Sequence, residues 1–314
     1  MNPLRIGSRG SQLALWQARH VQQRLAELGA TSEIRVIQTS GDRITHASLA
    51  DFGGKGLFIK EIEEALLAGA IDCAVHSLKD VPSSLPAGLG LTAILTREDP
   101  RDALVAAPGV TFDNLPPGAR LGTSSLRRQA QVLARRPDLA VLPLRGNVDT
   151  RLRKWEAGEF TAILLATAGL NRLQRTASVT QLLEPEHLCP AVGQGALALE
   201  ARLHDAATCD RLAALEHPPT RLAIEAERAT VRRLDVGCHA PVGVLGRIRD
   251  ATLSLIAVVA MPDGSRIVRA ALEFPTVRTI SDAQAAGAAL AVLLEERGAR
   301  EILQAIYHPI QSPK

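Results

Sequence analysis

The 314-residue sequence predicts an α/β protein of three domains, two of them α/β and the third a small α+β domain at the C-terminus. Three observations point there. Strand-period and helix-period segments alternate through the first two thirds of the chain. The pattern shifts near residue 97 and again near residue 217. The last third places a hairpin signal between helices. The length suits this division, because one hydrophobic core rarely grows past about 250–300 residues. The boundaries are read at 1–96 for the first domain, rejoined by 196–214, at 97–195 for the second, and at 215–314 for the third.

Each element follows from its residues. "LRIGS" is a short strand, and residues 11–29 put Leu13, Trp16, Val21, Leu25 and Leu28 on one helical face that stops at Gly29. "EIRVIQT" alternates as a strand, "LFIKEIEEALLAG" is an amphipathic helix ending at Gly69, and "IDCAV" is a compact apolar strand. Such βαβ units imply a mostly parallel sheet. Beyond "TREDPRDALV" a second series begins. "SSLRRQAQVLARRP" is a helix stopped by Pro137, "AVLPLRG" a strand, "VDTRLRKWEAG" a helix, and "FTAILLATAGL" a strand leading into a turn. "PAVGQGALALEARL", at 190–203, reads as a return connection that makes the first domain discontinuous. In the third domain "PTRLAIEAERATVRRL" is a helix and "DVGCHAPVG" a loop of small residues. "TLSLIAVVAM" and "SRIVRAALEF" flank "PDG" as an antiparallel hairpin, and a further helix spans roughly 281–297.

Composition narrows the function. The chain is 46% hydrophobic and 22% charged, with a net charge of +3, too little for general affinity to nucleic acid or membranes. The distribution says more. Between Arg120 and Lys154 there are nine Arg or Lys against Asp138 and Asp149 alone, a local positive field suited to an anionic ligand. Cys73, Cys189, Cys209 and Cys238 form no CxxC or Cys/His pair with metal-ligand spacing, so neither a metal site nor a disulfide framework is expected. "MNPLRIGSRG" has no apolar signal region, and no stretch reaches the ~20 apolar residues of a bilayer span. A reduced, cytoplasmic protein is expected.

Four segments carry candidate chemistry. "AVHSLKDVP" delivers Lys79 and Asp80 to the carboxyl end of a strand, where ligand sites of open α/β sheets lie. A carboxylate there stabilises positive charge or moves a proton, and nearby cations favour its ionised form. A surface ion pair beside a turn is the competing reading. "GTSSLRRQ" places Thr123, Ser124 and Ser125 before a helix that carries Arg127 and Arg128. That pattern is either an anion cradle of backbone N–H groups, hydroxyls and guanidinium forks, or a serine cap followed by solvated arginines. "LRGNVDTRL" repeats the theme with Arg145, Asn147 and Arg151. Cys238, in "VGCHAPVG", is either inert packing or a nucleophile that carries a group. "GGKGLF", "GLGLTA" and "GQGALA" lack the spacing or context of nucleotide-binding loops. Aromatics are 3% of the chain, which leaves few stacking platforms for a single-stranded nucleic acid.

Taken together, "RIGSRGSQLALWQA", "GGKGLF", "AVHSLKDVP", "REDPRDALV", "GTSSLRRQAQ", "RGNVDTRL", "PAVGQGALA" and the cysteine loop resemble the porphobilinogen deaminase (hydroxymethylbilane synthase) family over nearly the whole chain. The resemblance implies two domains similar to type II periplasmic binding proteins with the active site between them, and a third that carries a cysteine. It implies a dipyrromethane primer held through a thioether at the position of Cys238, onto which four porphobilinogen molecules condense with loss of ammonia. Hydrolysis then releases hydroxymethylbilane. The same resemblance gives Asp80 the catalytic role, assisting ammonia loss and stabilising positively charged intermediates. It makes Arg9, Ser11, Ser77, Lys79, Thr123, Ser124, Ser125, Arg127, Arg128, Arg145, Asn147 and Arg151 contacts to the cofactor or growing chain, together with Lys55, Phe58 and Gln194. It also implies a monomer. The chain departs from the family pattern at Val236, where Gly is more usual, at His239, where Gln is, and at Gly10, where a polar residue is common. The alternatives from residue chemistry alone are a non-catalytic clamp for an anion and an arginine-based nucleic-acid module.

Overall fold

The computed structural model describes residues 3–40, 59–237 and 240–307. The first elements are β1 (Leu4–Ser8), α1 (Gln12–Glu27), β2 (Ser32–Val36), α2 (Lys60–Leu67), β3 (Cys73–Ser77), a 3-10 turn (Leu78–Asp80) and β4 (Leu89–Ile94). Then come β5 (Asp102–Ala106), β6 (Arg120–Gly122), α3 (Leu126–Arg135), β7 (Ala140–Leu142), α4 (Val148–Glu156), β8 (Ala162–Ala166), α5 (Thr167–Arg172) and β9 (Val179–Leu183). The chain continues through β10 (Leu197–Arg202), α6 (Ala206–Ala213), α7 (Pro218–Arg233), β11 (Val242–Arg249), β12 (Thr252–Ala260), β13 (Ile267–Phe274), α8 (Ile280–Glu296) and α9 (Ala299–Tyr307). Among the described residues no helix is long and apolar enough to cross a membrane.

Contacts gather these elements into two compact units. One comprises residues 1–100, 168–175 and 193–221, the other 101–167, 176–192 and 222–314. The first holds a five-stranded sheet of order β2-β1-β3-β10-β4, in which β1 runs parallel to β2 and β3 while β10 runs antiparallel to β3 and β4. The segment read as a return connection is therefore a strand inside the first sheet. The second unit holds a sheet of order β7-β6-β8-β5-β9 on the same plan, with β6 parallel to β7 and β8, and β5 antiparallel to β8 and β9. It also holds the antiparallel sheet β11-β12-β13. The fold is thus mixed α/β, with two like sheets and a third, smaller one.

Local chemistry explains the elements that position functional residues. Ser11 caps α1 by accepting from Ala14 N–H at 3.3 Å, and Ala18, Val21 and Leu25 bury one helical stripe against Leu4, Ile6 and Val75. The buried face differs from the expected one. Leu13 and Trp16 are half-buried and Leu28 is an exposed C-cap residue, because the inward stripe is centred on Ala18 and Val21. On the opposite side of this sheet α2 packs Ile62 and Leu66 onto Ile71, Ala74 and Leu89. In the second unit the core of the large sheet is Leu104, Leu121, Val132, Leu164 and Leu183. The smaller sheet closes on Val244, Leu255, Val259, Leu290 and Leu294. Each such side chain contributes roughly 1.5–3 kcal/mol by leaving water. Val236 joins that core at 7% exposure, so the side chain that departs from the family pattern has a packing use.

Several elements differ from the sequence reading. "AVLPLRG" supplies only the three-residue β7, since Pro143 has no N–H to extend the ladder. The expected turn after "FTAILLA" is the helix α5. Strands β5, β6, β9 and β11 and helices α6 and α9 have no counterpart in the sequence reading.

Candidate functional site

In the first unit the chemistry sits where β3 ends. Strand pairing with β10 runs through Ser77, and Leu78 N–H then donates to Ala196 O at 3.0 Å, so the ladder passes into the 3-10 turn. Val81 N–H closes the turn on Leu78 O at 3.0 Å. Leu78 is buried over Gly193, where an added Cβ would fall 2.8 Å from Leu78 Cγ. Glycine at 193, with φ +71°, lets the chain pass beneath this turn. The turn fixes Lys79 half-buried and Asp80 exposed, and Asp80 makes no hydrogen bond or ion pair among the described residues. A carboxylate fixed by its backbone and left unused by neighbouring side chains is available to a ligand.

Polar neighbours brace the same strand end. Gln17, buried on α1, donates through Nε2 to Ser77 Oγ at 2.8 Å. His76 Nε2 lies 2.9 Å from Glu200 Oε2, a pair buried from both strands. Glu63 on α2 titrates above the ordinary carboxylate range, because burial disfavours its charge and Glu200 adds repulsion, with His76 opposing. Arg9 is half-buried at the end of β1, and Ser11 caps α1. Gln194 is buried and donates to Pro100 O at 2.7 Å, while its backbone carbonyl accepts from Arg97 Nε at 2.8 Å. Arg172 was missed in the sequence. Its Nη2 donates to Gly195 O at 2.7 Å, its guanidinium lies 5.9 Å from the Trp16 ring centroid, and burial, partly opposed by Glu98, pulls its pKa down to about 10.

The second unit collects the other candidates around α3 and α4. Ser125 caps α3 by accepting from Arg128 N–H at 3.4 Å, Thr123 Oγ1 accepts from Ser125 N–H at 3.2 Å, and Ser124 Oγ donates to Leu144 O at 2.9 Å. Asn147 caps α4 through Thr150 N–H at 2.9 Å, and Arg151 Nε donates to Gly146 O at 2.8 Å. Arg145 is half-buried. These hydroxyls and the amide each make a local backbone bond.

Arg127 and Arg128 are neither solvated nor turned outward, each being 5% exposed. Arg127 Nη1 donates to Asp102 Oδ2 at 2.8 Å and to Cys189 O at 2.6 Å. Arg128 donates through Nη2 to Asp102 Oδ1 at 2.7 Å and through Nη1 to Leu164 O at 2.8 Å. Asp102, at 0% exposure, was also missed, though it begins the apolar run "DALVA". Burial alone would raise its pKa, but the two guanidiniums outweigh burial and hold the carboxyl well below the usual range. The triad carries one net positive charge. The Nε–H groups of both arginines are buried with no partner among the described residues, so the cluster still has donors for an acceptor. A carboxylate-rich group such as dipyrromethane fits that donor set. Cys238, His239, Lys55 and Phe58 lie outside the described residues.

Two family models and the sequence relatives match most of the chain. Residues 4–210 match the family model "Porphobilinogen deaminase, dipyromethane cofactor binding domain", and residues 221–296 match "Porphobilinogen deaminase, C-terminal domain". The porphobilinogen deaminase of Pelobacter propionicus is 49% identical over 306 residues, 97% of each chain. That of Syntrophotalea carbinolica is 50% identical over 305 residues, 96% of each chain. That of Geobacter sulfurreducens is 48% identical over 309 residues, covering 98% of this chain and 96% of the relative. Among solved structures, the methionine-binding protein MetQ covers 68% of this chain and 89% of its own at 12% identity, with a TM-score of 0.44. A methionine-binding lipoprotein of Bacillus subtilis covers 68% and 90% at 12% identity, with a TM-score of 0.42. The assignment rests on the family models and the sequence relatives: the chain belongs to the porphobilinogen deaminase family.

Proposed function

We propose that this chain is a transferase that condenses four porphobilinogen molecules onto a dipyrromethane cofactor with loss of ammonia, then releases hydroxymethylbilane by hydrolysis, with Asp80 as the catalytic carboxylate and Cys238 as the attachment point. The reaction and the cofactor come with the family. The roles of individual residues are our reading. The observation that carries the reading is Asp80 itself, presented at the end of β3 on a turn held by backbone bonds and apolar packing, with its carboxylate left to a ligand.

Dipyrromethane, when bound, would supply the nucleophilic ring carbon to which the first substrate is joined. As the C–N bond of porphobilinogen breaks and ammonia leaves, positive charge develops, and the Asp80 carboxylate stabilises it. Asp80 would accept, at a carboxylate oxygen, the proton released when the new C–C bond forms, and pass it on. Lys79, Arg9 and Ser77 take acetate and propionate groups in the first unit. Arg127, Arg128, Arg145 and Arg151 do so in the second, with Thr123, Ser124, Ser125 and Asn147 as hydrogen-bonding support. Lys55 and Phe58 complete the contacts from the "GGKGLF" segment. The bonds of Gln194 within its own unit make it a support for the "GQG" segment as well as a candidate contact. We read the chain as a cytoplasmic monomer of three working domains, 1–96 with 196–214, 97–195 and 215–314.

The test is the intact mass of the denatured protein with a peptide map around Cys238, before and after incubation with porphobilinogen. Two linked pyrrole rings on that cysteine are the expected adduct. A chain that takes no pyrrole mass on Cys238 under either condition would overturn the reading.

A further inference from the structure

We infer that Asp102 is a positioning residue for cofactor loading, holding Arg127 and Arg128 as one pre-assembled cationic pair. The inference deepens the function proposed above and rests on it.

Two adjacent guanidiniums at the start of one helix repel each other, and burying them away from water adds to the cost. Left alone, such side chains would turn outward to solvent. Here both are buried, and the group that makes this tolerable is a single carboxylate that gives one oxygen to each, at 2.8 Å and 2.7 Å. Asp102 is itself fixed, because it begins β5 and pairs with Ala166 on β8 and Leu183 on β9. Cys189 O also accepts from the Arg127 Nη1 that bonds Asp102, and Leu164 O accepts from Arg128 Nη1. Each guanidinium thus has two acceptors that belong to strands or to the chain following β9.

Both Nε–H groups are left, buried and without a partner among the described residues. A purely structural staple would leave no reason for two such donors, since an unmet buried donor disfavours the fold. The arrangement instead leaves one unit of positive charge and two unpartnered donors. Pre-assembly of this kind lowers the ordering that binding would otherwise require. The dipyrromethane, with its acetate and propionate groups, is the anion that the family brings to this chain. Asp102 acts on it only through the arginines.

The experiment compares full-length chains produced in cells that make no porphobilinogen, then given porphobilinogen while the mass on Cys238 is followed in time. Circular dichroism and thermal melting give the folded fraction of each. Asp102→Asn is expected to load about tenfold more slowly than wild type per folded molecule, with Asp102→Glu recovering part of the rate. Because Asp102→Asn leaves two uncompensated buried cations and can fail to fold, a second pair settles the matter. Arg127→Gln keeps the Asp102–Arg128 bond, whereas Asp102→Asn with Arg127→Gln removes it while retaining one net buried positive charge. The double variant is expected to load about fivefold more slowly than Arg127→Gln alone. Equal rates per folded molecule in that pair would overturn the inference and leave Asp102 a fold-stabilising residue only. No pyrrole mass on wild-type Cys238 would instead overturn the proposed function, and the two failures are told apart by the wild-type control.

Discussion

Asp80 stands at the end of a buried strand on one 3-10 turn, and the bonds described for that turn come from backbone and apolar packing. Its own carboxylate is exposed and makes no bond among the described residues. Asp80→Asn therefore leaves stability within about 0.5 kcal/mol of wild type, as for other surface substitutions. Turnover tells a different story. Removing the charge that opposes a developing cation, together with the proton acceptor, is expected to lower kcat by about 10²–10³-fold. Steady-state kinetics beside a thermal melt checks both halves, and unchanged kcat in a folded variant would remove Asp80 from the chemistry. The quoted motif made Asp80 and Lys79 legible as candidates because local order alone carries them to a strand end. The partners of Arg127 and Arg128 were not legible. Asp102 and Leu164 are brought to them by sheet pairing and Cys189 by the chain that follows β9, and neither leaves a periodic trace near "SSLRRQ". The same holds for His76, whose partner Glu200 lies 124 positions away.

Caps and glycines connect those residues to the elements that hold them. Asn147 accepts from Thr150 N–H and starts α4, the helix that carries Arg151. Asn147→Ala should cost about 1 kcal/mol, the usual value of such a cap, measured by denaturant unfolding. Gly195 is under a harder constraint. Its φ is +90°, and an added Cβ would run into the carbonyl oxygen of Glu98, which is backbone and cannot swing aside. Gly195→Ala should therefore destabilise by at least about 2 kcal/mol, through left-handed strain added to overpacking. An alanine variant as stable as wild type would show that the 193–196 crossing relaxes freely. Long amphipathic helices such as α7 and α8 and the β12–β13 hairpin were legible because each repeats its period several times. The three-residue β6 and the five-residue β5 and β9 offer too few positions for a period to stand out. Their existence is a property of the sheets they complete.

At the scale of the whole molecule, buried charge of both kinds gives folding stability a dependence on pH with two limbs. On the acid side lie carboxyls held below their ordinary range. Burial would raise Asp102 and Asp72, but Arg127 and Arg128 outweigh it at the first, and bonds and charge from Arg5 outweigh it at the second. A depressed folded pKa stabilises above the unfolded value, about 3.9 for Asp, and that contribution drains away as pH falls below it. On the other limb stands Glu63, raised by burial and by Glu200 against the pull of His76. There the folded state binds a proton that the unfolded chain has already released, so stability declines as pH rises past about 4.3, the ordinary Glu value. Taken together, these three groups contribute most near pH 4, between the ordinary Asp and Glu values, and less on either side. Glu63→Gln removes the second limb alone. Its melting temperature should exceed that of wild type most at pH 8 and converge with it near pH 4, where Glu63 is protonated in both folded and unfolded chains. Melts across pH 4–8 test the assignment, and a difference that stays constant with pH would mean that the burial of Glu63 has no electrostatic cost.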